Sequence, residues 1–176
     1  MRLKRFRLAV VVLAATASLA ACTGQSPLTA LKPYAASDGL QVTAGDIRGV
    51  NLLLMTRGEG EPAVLTGTFD NTGDQDATAT IAIGDVTATL AIPAGESVKL
   101  SLDGGLPVVL DAAPAAPGLL ASIDVTVGSN VATAPVPVLD GTLPEYAPVI
   151  GALDAYVAAQ REATEPSPSV SASDAA

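Results

Sequence analysis

Residues 77–92 read ATATIAIGDVTATLAI, with apolar and hydroxyl side chains alternating on both sides of a Gly-Asp pair. Successive side chains of a strand point to opposite faces, so this period of two requires one dry and one wet face. Ala77, Ala79, Ile81 and Ile83 share the dry face of the first run, with Thr78 and Thr80 opposite. Val86, Ala88, Leu90 and Ile92 do the same in the second, against Thr87 and Thr89. Gly84-Asp85 between them predicts a tight hairpin with positive φ at its first turn residue.

The same pattern governs residues 40–140. SVKLSL (97–102) places Val98, Leu100 and Leu102 inward, and IDVTV (123–127) places Ile123, Val125 and Val127 inward. VNLLLMT (50–56) and AVLTGTF (63–69) are more continuously apolar, as expected of strands covered on both faces or lying centrally. Turn signals follow at Pro93-Ala94-Gly95, Asp103-Gly104-Gly105 and Gly128-Ser129-Asn130. Seven or eight short strands with no helical period between them predict an all-β fold, an antiparallel β-sandwich, over 40–147. Pro135 and Pro137 fall in the last strand, VATAPVPV. Their missing donors point to one edge, which marks an edge strand or a strand end protected against pairing. After Pro148, Val149, Leu153, Tyr156 and Val157 make one apolar stripe, predicting a short helix over 148–163 whose stripe docks on the sandwich or offers a partner surface. Residues 164–176, rich in Ser, Pro and Ala, predict a disordered tail.

The amino terminus carries a different signal. Arg2, Lys4, Arg5 and Arg7 precede an apolar run from Leu8 to Leu19. Twelve helical residues reach roughly 18 Å against a hydrocarbon core of ~30 Å, so the run predicts an export signal rather than a membrane span. Leu19-Ala20-Ala21-Cys22 closes it, and Cys22 is the single cysteine. This quartet resembles the lipobox of bacterial lipoproteins. The resemblance implies cleavage between Ala21 and Cys22, diacylglycerol on the Cys22 sulfur and an acyl group on its nitrogen. Residues 1–21 are then a lipoprotein signal peptide, and 22–39, with Pro27, Pro33 and Gly39, a lipidated tether. Removing 1–21 takes four of nine basic side chains and none of 18 acidic ones, leaving a formal charge of −13. A charge of that sign excludes nucleic acid and a basic lipid-binding patch, so membrane attachment rests on acyl chains. With no second thiol, the exported domain folds without a disulfide.

Which chemistries remain? There is no His, which removes imidazole triads and the usual zinc sites. No phosphate-cradling glycine motif occurs. Lys99 sits at an outward strand position. Asp70, Asp74 and Asp76 crowd the turn DNTGDQD, but their spacing departs from the EF-hand Ca²⁺ loop and suits a polar turn. Nothing indicates two carboxylates converging for glycoside hydrolysis. The reading is a non-enzymatic protein with no catalytic residue, no metal site and no cofactor.

The stretches AVLTGTFDNTGDQDATATIAI, IPAGESVKLSLDGGLPVVL and LLASIDVTVGSNVATAPVPV resemble the secreted copper chaperones called PCuAC. SDG, a GD turn, NLLL and NTGD, together with the lipobox, resemble actinobacterial lipoproteins of the LpqE kind. The resemblance implies an Ig-like or cupredoxin-like sandwich. The copper proteins hold Cu(I) with soft His and Met donors, part of them a His-x-Met after the GGL turn. The matching positions here are Pro107 and Val109, and Met55, in NLLLM, reads as a core residue. The expectation is therefore a cell-envelope lipoprotein on the extracytoplasmic face of the membrane, a binding or assembly module whose partners are membrane lipid and an envelope protein. The alternatives are a metal-handling accessory with ligands lent by a partner, and a carrier of hydrophobic ligands between the sheets.

Overall fold

The computed structural model describes residues 38–164. The expectations for the signal peptide, for Ala21 and Cys22, for the tether up to residue 37 and for the tail from 165 lie outside them. Nine strands and one helix follow in order: β1 Leu40–Ala44, β2 Ile47–Thr56, β3 Ala63–Asn71, β4 Ala77–Ile83, β5 Val86–Ile92, β6 Ser97–Leu100, β7 Val108–Leu110, β8 Leu120–Val127, β9 Asn130–Leu139 and α1 Ala147–Thr164. The order across the sheet is β5-β4-β8-β9-β2-β3-β6, with β1 on β2 and β7 on β3. It folds on itself as a sandwich: β1, β2, β3, β6 and β7 form one layer, and β5, β4, β8 and β9 the other.

The alternating runs fold as their pattern dictates. Ile83 pairs with Val86 around Gly84, whose φ is 56°. Ala79, Ile81, Ile83, Leu90 and Ile92 point into the main core with Ile123 and Val125, while Thr78, Thr87 and Thr89 are exposed. The core is aliphatic apart from Phe69. Val98 and Leu100 face it as expected, but Leu102 does not. β6 stops at Leu100, Ser101 Oγ takes the Asp103 N–H at 3.0 Å, and the turned chain delivers Leu102 to a second cluster.

That second cluster explains the continuously apolar runs. Leu53, Met55 and Val64, on the outer face of the first layer, pack under Ile150 and Leu153 of α1, with Leu139, Tyr146, Val149 and Val157 around them. β2 and β3 are thus covered on both faces. The helix runs as expected, with Pro148 in its first turn, where a missing N–H costs nothing. Its buried stripe is centred on Ile150 and Leu153, however, and Tyr156 lies at its margin, half-buried.

One pairing departs from an antiparallel sheet: β2 and β9 run parallel, at Leu54↔Val138 and Met55↔Leu139 only. The prolines account for its shortness. Val138 N–H bonds to Leu119 O at 2.9 Å, on the β8 side, so residues 135, 137 and 139 turn towards β2. Of these, only Leu139 has a donor. β9 therefore lies inside the strand order rather than at an edge, and the prolines limit its seam with β2.

Candidate functional site

Met55 is about 1% exposed, its thioether enclosed by the second cluster. Lys99 is exposed on β6. Pro107 is exposed, and Val109 faces the α1 side of β7. Asp70, Asp74 and Asp76 do not converge. Asp70 accepts Ser97 Oγ at 2.7 Å and Arg48 Nη2 at 3.3 Å, while Asp76 accepts the Ala94 N–H at 3.0 Å. Among the described residues, no three of His, Cys, Asp and Glu come together in a metal-binding arrangement. Asn71, at the end of β3, is buried with its amide fully used: Nδ2 donates to Gln75 O at 2.8 Å and Ile92 O at 3.0 Å, and Oδ1 accepts the Gly73 N–H. It ties the β3–β4 turn to the end of β5, a structural role.

The concave surface lies elsewhere, along α1. A groove of about 660 Å³ opens between the last turns of the helix and β7, lined by Pro62, Val109, Leu110, Tyr156, Val157 and Arg161 among others. A second, of about 270 Å³, follows the helix past Arg57 and Asp154 and shares Pro62, Val157 and Arg161 with the first. A third, of about 320 Å³, lies at the helix start, between Arg57 and the Asp140–Thr142 turn. None of the three is lined by the inner faces of both layers, where carriage of an apolar ligand would place it.

Two polar contacts cross this seam. Arg57 donates to Asp154 through Nε at 3.1 Å and Nη2 at 2.5 Å, a forked pair between the end of β2 and the middle of α1. The hydrogen bond from Arg57 holds the Asp154 carboxyl below its ordinary value and raises the guanidinium in turn. Tyr146 Oη donates to the Asp38 carboxylate, joining the chain just ahead of β1 to the start of α1. That bond, with some burial and the negative charges of Asp38 and Glu145, pushes the phenol up to about 12. Asp140 is held low, first by the Thr142 N–H at 2.9 Å, in the turn leading to the helix. Nothing in the sequence pattern announced Arg57, Asp154, Tyr146 or Arg161. The members of each contact are 97 and 108 residues apart.

The seam joins an apolar wall to two guanidinium groups, with no acid–base pair set beside a nucleophile. Such a surface can hold a ligand or a partner. No protein-family model matches the chain, and no curated protein sequence matches it. Among solved structures, the chain is similar to the apo PCuAC domain from PmoF1, with a TM-score of 0.46 and 14% identity over 56% of this chain and 98% of that one. It is similar to the copper-bound PCuAC domain from PmoF2, with a TM-score of 0.45 and 19% identity over 57% and 98%. It is also similar to the apo PmoF2 domain, at 0.46 and 18% over 59% and 98%. Identities and scores of this size assign no ligand or activity to this chain.

Proposed function

We propose that the chain is a membrane-anchored lipoprotein of the bacterial envelope, of the LpqE kind, with lipid on Cys22 and its sandwich held outside the cytoplasmic membrane as a non-enzymatic binding or assembly module. One observation carries the reading: Leu-Ala-Ala-Cys, with the only thiol of the chain, stands at the foot of an apolar run too short to span a bilayer. Among the described residues no helix is long and apolar enough to cross a membrane, which is compatible with attachment through acyl chains. The grooves along α1 are the natural working surface of such a module. The mass of the native product extracted from membranes should correspond to a chain beginning at Cys22 and carrying acyl groups. Cys22→Ser should leave the protein unprocessed and unacylated. A native product with a free thiol, or one starting at another residue, overturns the proposal.

A second reading, metal handling in the manner of the copper chaperones, draws on the turn motifs that resemble theirs. Pro107 and Val109 offer no donor at the matching positions, and Met55 is enclosed, so any metal would need ligands from a partner. Calorimetric titration of the purified chain with Cu(I) should show no one-to-one micromolar site. A site abolished by Met55→Leu would favour this reading over the first.

A further inference from the structure

Sheet edges left unpaired are a hazard that folded proteins blunt with charge, proline, bulges or shortness. Most edges here follow that rule. β1 is interrupted by a register shift, and β6 is four residues long, contains Lys99 and is capped by the Leu100–Leu106 bridge. β5 follows none of it. Its seven residues, VTATLAI, hold no charge, no proline and no glycine, and they pair with β4 without a break from Val86 to Ile92. Among the described residues β5 pairs with no other strand. The first two core-facing residues of β5 are also incompletely covered. Val86 and Ala88 remain half-buried, while Ile83 and Ile81 opposite them on β4 are closed off.

We propose that β5 is a self-association edge that pairs antiparallel with β5 of a second copy of this chain. The direction of the backbone groups follows from the hairpin. Ile83 and Val86 close a two-residue turn and form a hydrogen-bonded pair, so Val86, Ala88 and Leu90 bond towards β4. Thr87, Thr89 and Ala91 therefore turn their N–H and C=O groups to the open side. An antiparallel pair of identical strands is two-fold symmetric, and centring it on Thr89 brings those three residues into register with their counterparts, making about six backbone hydrogen bonds. The inner faces then complement one another, Ala88 against Leu90 and Val86 against Ile92, small against large.

Charge does not oppose a second copy here. The chain is acidic, with 18 acidic side chains against nine basic ones, so two copies are best brought together where neither presents a carboxylate. On this strip they meet without charge, and the nearest acid, Asp85, falls opposite Pro93 of the other copy. Seven residues a side is well below the ~20–30 of a standard interface, so the dimer is weak and concentration-dependent. It does not depend on the anchor, and its failure would leave the lipoprotein reading untouched.

Sedimentation of the purified full chain in detergent should show a monomer–dimer equilibrium. Thr89→Pro removes the central outward N–H and none of the bonds to β4. It should leave thermal stability close to wild type and raise the dissociation constant at least about tenfold. Thr89→Lys, which keeps every backbone donor and sets two ammonium groups face to face, should do the same. On mild oxidation Thr89→Cys should cross-link to itself above the level of the wild-type chain, and Thr78→Cys, on the outer face of the neighbouring β4, should not. A wild-type chain that stays monomeric at millimolar concentration overturns the proposal, as does a dimer insensitive to both Thr89→Pro and Thr89→Lys. Binding of an extended peptide from another protein at this edge, without self-association, would overturn the second copy as its occupant.

Discussion

Asn51 sets the phase of β2. Its φ of 53° lies in the left-handed region, the only such value outside glycine among the described residues. It forms a bulge at which β2 loses register with both β1 and β3. Before the bulge Ile47 and Gly49 face the main core; after it Leu52 and Leu54 do, and Leu53 and Met55 turn to α1. Gly67 on β3 is the counterpart, with φ 140°, where a Cβ would meet Leu52 Cδ2 at 2.7 Å and two carbonyl oxygens of the bulge at 3.0 Å. Gly67→Ala should lower stability by about 2–3 kcal/mol in urea unfolding, whereas Asn51→Gly should stay within about 0.5 kcal/mol of wild type. Tyr146 makes a second residue-level prediction. Its folded pKa of about 12 lies above the ordinary 10.0, so its stabilising bond to Asp38 is fully present below pH 10 and is lost as pH rises towards 12. Unfolding midpoints measured from pH 9 to 12 should fall more steeply for wild type than for Tyr146→Phe.

Among the elements, α1 carries the site and leans on few side chains. Ile150 and Leu153 are its only buried residues, and the Arg57–Asp154 pair beside them is exposed at both ends. Packing, then, and not the ion pair, holds the helix in place. Leu153→Ala should cost about 2–4 kcal/mol and remove amide-exchange protection from α1. Asp154→Asn should leave helix protection nearly unchanged at moderate salt. The strands were far more legible than the helix contact. β4 and β5 begin and end where alternation places them, because each has one face on the core and one in water. β1 and β7 gave weaker signals, at five and three residues, with Pro107 adjoining the latter. In the helix the periodicity was visible, but whether Tyr156 or Ile150 would be buried depends on the rotation set by Leu53, Met55 and Val64 beneath it.

In the whole molecule, β2 and β3 belong to two cores at once. Leu52, Leu54 and Leu65 fill one and Leu53, Met55 and Val64 the other, so α1 cannot stay docked when the sandwich opens. Tyrosine fluorescence of Tyr34→Phe, which reports on α1 and its entry through Tyr146 and Tyr156, should therefore track β-sheet circular dichroism through a single urea transition. What residue order alone determined was local: which face of each strand is dry, where the chain turns, that a helix ends the domain, and that no imidazole is present. Those follow from periodicity, from turn chemistry and from composition. Only the tertiary structure decided the phase change at Asn51, the parallel seam at Val138 and Leu139, and the joining of Arg57 to Asp154 and of Tyr146 to Asp38. Each depends on groups far apart in the chain meeting in space, and no local pattern encodes such a meeting.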